Sequence, residues 1–137
     1  MAVVKDLITV ENDSTLSFGD YSLTAKTKKD NFQFEGDLYK IKTYKTITKL
    51  EKNGMMIYES VPGTTVHNFS VTDAVMSFSV EGPEDAQITL ELEPEMEYKV
   101  FVDDTNVGRM KTNLGGKLNI SIEMNPNQVV NVKVVKL

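Results

Sequence analysis

Residues 98–124, YKVFVDDTNVGRMKTNLGGKLNISIEM, decide how this chain is read. They hold an acidic pair, the single arginine of the chain and a double glycine, set between apolar runs. Tyr98, Val100 and Val102 alternate, which is the period of a strand with one face on a core. Asp103, Asp104, Thr105 and Asn106 are turn formers, because their side chains bond nearby backbone and tolerate tight bends. Val107 to Thr112 then read as the return strand, "NLGG" as the next turn and Lys117 to Met124 as a further strand. The stretch is therefore expected to be the corner of a sheet. The sharper alternative is a calcium loop at Asp103–Asn106. Calcium takes about 6–8 oxygen ligands, and two aspartates supply only some of them.

The same period runs through the rest of the chain. In "MSFSVEG", Met76, Phe78 and Val80 share a face opposite Ser77 and Ser79. In "ITLELE", Ile88, Leu90 and Leu92 alternate with Thr89, Glu91 and Glu93. No helical stripe of useful length interrupts this pattern. Turn signals recur at Asn53-Gly54, Pro62-Gly63, Gly82-Pro83, Glu93-Pro94, Gly115-Gly116 and Asn125-Pro126. "KLEKNGMMIYES" is the clearest hairpin, since Asn53 and Gly54 both tolerate the positive φ of a type I′ turn.

The expected fold is all-β. A C-terminal immunoglobulin-like sandwich, residues 63–137, is expected with an N-terminal β-hairpin module, residues 1–62, packed against it. Seven strands are expected near 67–72, 75–81, 87–92, 97–103, 107–112, 117–124 and 129–136. Five more are expected near 3–10, 15–24, 31–35, 38–49 and 55–61. The run "YKIKTYKTITKL" reads as one long lysine-rich strand, solvated at a sheet edge where lysine discourages pairing with another chain. A lysine ladder for an acidic partner is its alternative reading.

Composition narrows the chemistry. There is no cysteine, so disulfides, thiolate metal sites and cysteine nucleophiles are excluded. Residues 1–62 hold nine lysines and nine acids; residues 63–137 hold six basic and eleven acidic residues, which gives the net charge of −5. An acidic chain with one arginine is a poor match to a nucleic-acid groove. No run approaches the roughly 18 apolar residues of a membrane span. "MAVVKDLITVENDS" does not read as a signal peptide, so a cytoplasmic location is expected, with a surface location also compatible.

Candidate sites are few. His67 is the only histidine, so a His-based metal cluster cannot form and a Ser-His-Asp triad has one available base. Glu91 and Glu93 fall on the water face of a strand, and Glu84 and Asp85 in a proline turn, which is poor ground for paired-carboxylate catalysis. Gly115-Gly116-Lys117 lacks the spacing of a phosphate loop. Asn12, Asn68 and Asn119 begin glycosylation sequons that read as chance matches without a secretory signal. Tyr21, Phe32, Phe34, Tyr39, Tyr44 and Tyr58 crowd the first half and read as core, with a flat binding platform as the alternative. The sequence therefore points to no catalytic residue, no metal and no cofactor.

"YKIKTYKTITKLEKNGMMIYESVPGTTVHNF" together with "FSVEGPEDAQITLELEPEMEYKVFVDDTNVGRMKTNLGGKLNISIEM" resembles a family of small, uncharacterised proteins from gut Firmicutes that sometimes carries the label endosialidase. Sialidases hold the substrate carboxylate with several arginines, and Arg109 offers one such contact. "YKVFVDD…KTNLGGKLNISIEM" is similar to a short β-sandwich repeat found at the ends of carbohydrate-active enzymes. The expected function is a non-catalytic interaction or structural module, carbohydrate-associated or self-assembling, whose partner is a protein, a carbohydrate or a second copy. A calcium-dependent binding module using Asp103–Asn106 is the alternative.

Overall fold

The computed structural model describes residues 4–137. A 3₁₀ turn, Lys5–Leu7, leads into thirteen strands: β1 (Ile8–Val10), β2 (Leu16–Phe18), β3 (Thr27–Phe34), β4 (Asp37–Thr43), β5 (Thr48–Lys52), β6 (Met55–Val61), β7 (Thr65–Val71), β8 (Val75–Glu81), β9 (Ala86–Glu91), β10 (Glu97–Val102), β11 (Thr105–Lys111), β12 (Lys117–Ile122) and β13 (Val130–Lys136). They form two antiparallel sheets, ordered β1-β2-β7-β8-β13-β10-β11 and β12-β9-β6-β5-β4-β3. The inner faces of both contribute to one apolar cluster, so the architecture is an all-β sandwich. No helix among the described residues is long and apolar enough to cross a membrane.

Local sequence explains the hairpins. Between β5 and β6, Asn53 and Gly54 sit at φ 51° and 83°, as the type I′ reading expects. Glu35 and Gly36 repeat that geometry between β3 and β4, at φ 51° and 84°. The run at residues 38–49 is not one strand. It breaks into β4 and β5 around a turn closed by Tyr44 N donating to the Ile47 carbonyl at 3.0 Å. Both strands lie inside the six-stranded sheet, flanked by β3 and β6. Lys40, Lys42 and Lys49 therefore stand on a sheet face and not along an edge, while Lys45 lies in the turn. The expected strand at 3–10 begins partly outside the described residues, and only Ile8–Val10 of its described part is strand.

A boundary near residue 62 does not separate the sheets. β1 and β2 extend the seven-stranded sheet, while β9 and β12 extend the six-stranded one. Tyr58, on β6, packs its ring edge-on against Phe18 at 5.3 Å and Phe78 at 5.7 Å, both on the other sheet. The chain crosses between sheets at Pro62-Gly63-Thr64, where Gly63 and Thr64 are buried and Gly63 lies against the β4–β5 turn. A Cβ on Gly63 would lie 2.0 Å from the Tyr44 carbonyl oxygen, so only glycine passes there.

Buried hydroxyls line that crossing. Thr64 Oγ1 is 2.8 Å from the Tyr58 hydroxyl and 2.7 Å from Ser60 Oγ. Thr48 Oγ1 donates to the Thr64 carbonyl at 2.8 Å, and the Thr64 N–H donates back to Thr48 Oγ1 at 3.0 Å. Thr43 Oγ1 continues the chain at 2.8 Å from Thr48 Oγ1 and accepts from Asp20 N at 2.9 Å. Each of these side chains is excluded from water, and no buried side-chain polar atom among the described residues lacks a partner. Burial pushes the Tyr58 phenol well above its ordinary value of 10.0, against the smaller opposing effect of its hydroxyl partners.

Two outcomes test this fold. Residues 63–137 expressed alone retain only β9 and β12 of the second sheet and lose Tyr39, Ile41, Leu50 and Tyr58 from the core. Thermal denaturation of that fragment is expected to show no cooperative transition; a sharp melt would mean that the C-terminal half carries its own core. Tyr58→Phe is expected to cost about 1–2 kcal/mol at neutral pH through the lost hydrogen bond. A raised folded-state pKa contributes stability that is complete below pH 10 and is lost as pH climbs toward the folded value. The parent should therefore lose up to about 1.4 kcal/mol per pH unit relative to Tyr58→Phe above pH 10. Urea melts of both proteins from pH 7 to 11 check this, and a gap constant with pH would contradict it.

Candidate functional site

The quoted stretch is a corner that also borders a groove. Val102 pairs with Thr105 across a two-residue turn, and Asp103 and Asp104 sit at φ 49° and 65°. That is a type I′ hairpin, reached here with aspartates in place of glycine. Asp103 is used structurally. Its N–H donates to the Asn131 carbonyl at 2.8 Å, and its Oδ1 accepts from Asn131 N at 2.9 Å, which extends the ladder between β10 and β13. Asp104 makes no such bond and faces the groove.

The groove has a volume of about 300 Å³ and lies on the outer face of the seven-stranded sheet. Period two builds it. Val130, Val132 and Val134 point into the core, so Asn131 and Lys133 point out. Met76, Phe78 and Val80 do the same for β8 and leave Ser77 and Ser79 outside. The registers set Ser77 opposite Lys133, Lys133 opposite Phe101 and Ser79 opposite Asn131. Ser79 Oγ donates to Asn131 Oδ1 at 2.6 Å. Phe101 is half-exposed at the groove wall, beside a bulge between Val100 and Phe101. Its ring stands apart from the core cluster, whereas Phe18, Tyr39, Tyr58, Phe69, Phe78 and Tyr98 belong to it. The result is one aromatic surface flanked by hydroxyl, amide, ammonium and carboxylate groups. Such a set can stack and hydrogen-bond a polar ligand.

The other sequence candidates are placed as follows. His67 lies on the same outer face, and its Nε2 is 2.7 Å from Glu81 Oε2, whose side chain is only 4% exposed. The Tyr21 hydroxyl reaches Glu81 Oε1 at 3.4 Å, and burial followed by the Glu81 charge raises the Tyr21 phenol above its ordinary range. Ser79 stands opposite His67 in the register, but its hydroxyl proton goes to Asn131. These groups are therefore not assembled as a nucleophile and its base. Glu91 pairs with Lys117 and Glu93 with Lys136. Asp85 Oδ1 accepts from Met124 N at 2.9 Å. Phe32 and Phe34 pack on the core and Tyr39 and Tyr58 lie within it, as the alternation implied. Among the described residues no group of three or more His, Asp or Glu converges as a metal site.

A second cleft, of about 340 Å³, opens between the sheets over Phe34, Tyr39 and Phe69. Its rim carries the Lys52–Asp37 ion pair at 3.5 Å. No protein-family model, curated protein or solved structure matches this chain.

Phe101 and Asn131 were available from the alternation, since each falls on the outward parity of its strand. What the sequence did not carry was that β10 and β13 would be neighbours. The burial of Glu81 was equally hidden, because Tyr21 covers it from sixty residues away.

Asp103→Ala is expected to lose about 1 kcal/mol more than Asp104→Ala, because both give up a residue that tolerates positive φ but only Asp103 also gives up its hydrogen bond from Asn131 N. Denaturant melts of both variants, with chelator and with millimolar calcium, check this. Equal losses at the two positions would contradict the assignment of the structural bond to Asp103. A calcium-dependent rise of the parent alone would move the stretch from corner to metal site.

Proposed function

We propose that this protein is a non-catalytic interaction module, carbohydrate-associated, whose ligand face is the groove at Phe101. The observation that carries this reading is one aromatic ring turned out of the core beside a bonded Ser79–Asn131 pair and Lys133. A pyranose ring offers an apolar C–H face and a rim of hydroxyls. Phe101 supplies the complementary surface, and hydroxyl, amide and ammonium groups supply donors and acceptors in fixed positions.

A calcium-dependent mode is the second reading. It rests on Asp104, the turn carboxylate that borders the groove and has no hydrogen-bond or ion-pair partner among the described residues. Carboxylate and sugar hydroxyls together would share the oxygen ligands that calcium requires.

Calorimetric titration of a panel of neutral oligosaccharides, with chelator and with calcium, tests both readings. Binding is expected for the parent and is expected to be lost in Phe101→Ala at an unchanged melting temperature. The carbohydrate reading fails if no sugar binds, or if Phe101→Ala binds as the parent does. Binding that requires calcium and disappears in Asp104→Asn favours the second reading.

A further inference from the structure

On the opposite side of the sandwich, the registers bring one residue from each strand of the second sheet into a single row. The row runs Lys28, Lys42, Lys49, Glu59, Thr89, Asn119. Several other pairs on this face are complementary. Lys40 stands across from Glu51 and Lys117 from Glu91. Gln87 Nε2 donates to Ser121 Oγ, and Thr89 Oγ1 to Asn119 Oδ1, each at 2.6 Å.

The first three positions of the row break that rule twice. Lys28 faces Lys42, and Lys42 faces Lys49. Like charges directly opposite across strands destabilise a sheet. A like-charged pair on the other sheet, Lys99 and Arg109, is relieved by Glu97 at 3.6 Å from the guanidinium. Lys49 has Glu51 at 3.5 Å, but among the described residues neither Lys28 nor Lys42 forms an ion pair. Protection of an edge accounts for Lys28 on β3. It does not account for Lys42 and Lys49, because β4 and β5 lie inside the sheet. A local rule broken without compensation within the fold is expected at functional or strained sites.

We propose that this row is a binding track for a linear acidic polysaccharide. Adjacent strands are roughly 4.8 Å apart, so three ammonium groups form a comb about 10 Å long. A uronic acid chain carries one carboxylate per ring and hydroxyls on every ring. Its carboxylates meet the lysines. Glu59 ends the cationic segment, and the hydroxyls meet Thr89 and Asn119, whose amide NH₂ makes no protein hydrogen bond among the described residues. The ammonium of lysine is a compact, hydrated point charge, whereas nucleic-acid sites favour arginine forks. This track is separate from the groove at Phe101, so either assignment can fail alone.

The test is calorimetric binding of oligogalacturonate at low and at physiological salt, with a neutral glucan of equal length as control. The parent is expected to bind oligogalacturonate in a salt-sensitive way. Lys28→Gln/Lys42→Gln is expected to weaken that binding by about tenfold, the loss of two charge contacts. The double variant is also expected to melt at or above the parent temperature, because the opposed charges are gone. Phe101→Ala should bind oligogalacturonate as the parent does. The proposal is overturned if the parent does not bind at low salt, if the double variant binds undiminished, or if it melts lower than the parent. It is equally overturned if an oligonucleotide or an anionic lipid vesicle binds more tightly than oligogalacturonate.

Discussion

Thr64 holds the two halves of this molecule in one structure. Its hydroxyl meets Tyr58 and Ser60 on the sheet the chain is leaving. Its backbone is clasped by Thr48 just before β7 joins the other sheet. The Tyr58 ring then stands between the sheets against Phe18, Phe69 and Phe78. Polar groups this deep are tolerated because every one is paired, and the pairing admits few alternatives. An apolar core alone would let two sheets slide. A hydroxyl chain with defined partners fixes where they meet.

That fixed meeting sets the outer faces. Once inward positions are assigned, every second residue must face water, and its neighbours follow from register alone. The groove at Phe101 and the row through Lys42 both arise this way, from residues far apart in sequence. Several outward pairs are complementary in charge or hydrogen bonding. A bare ring on one side and opposed ammonium groups on the other lack such partners, and these are the two places for which ligands are proposed.

Much of the fold was legible in the alternation. All seven expected strands of the second half are present, and Asn53-Gly54 turns as its chemistry requires. The turn inside residues 38–49 was not legible, because Tyr44, Lys45, Thr46 and Ile47 include no glycine, proline or asparagine. Its closure depends on tertiary neighbours such as Gly63, whose N–H donates to the Lys45 carbonyl at 3.0 Å. Strand neighbours were also beyond reach, since period two tells which face is buried but not which strand lies alongside. For that reason the boundary at Pro62-Gly63 read as a joint between modules, when it is the crossing between two shared sheets. The candidate site was half legible: the parity of Phe101 was visible, while its company was not.

The position of β13 has a consequence for biosynthesis. β13 follows β10 by some thirty residues, yet it is inserted between β8 and β10, in the interior of its sheet. The run β3 to β6 pairs in chain order and can zip as a local meander while translation continues. The other sheet cannot become continuous until β13 has been made and docked, and until then β8 and β10 each present an open edge. β13, seven residues long, is thus the key that locks a sheet begun by β1. Such non-local closure is the slow part of β-protein folding, and it makes β13 a poor place for truncation.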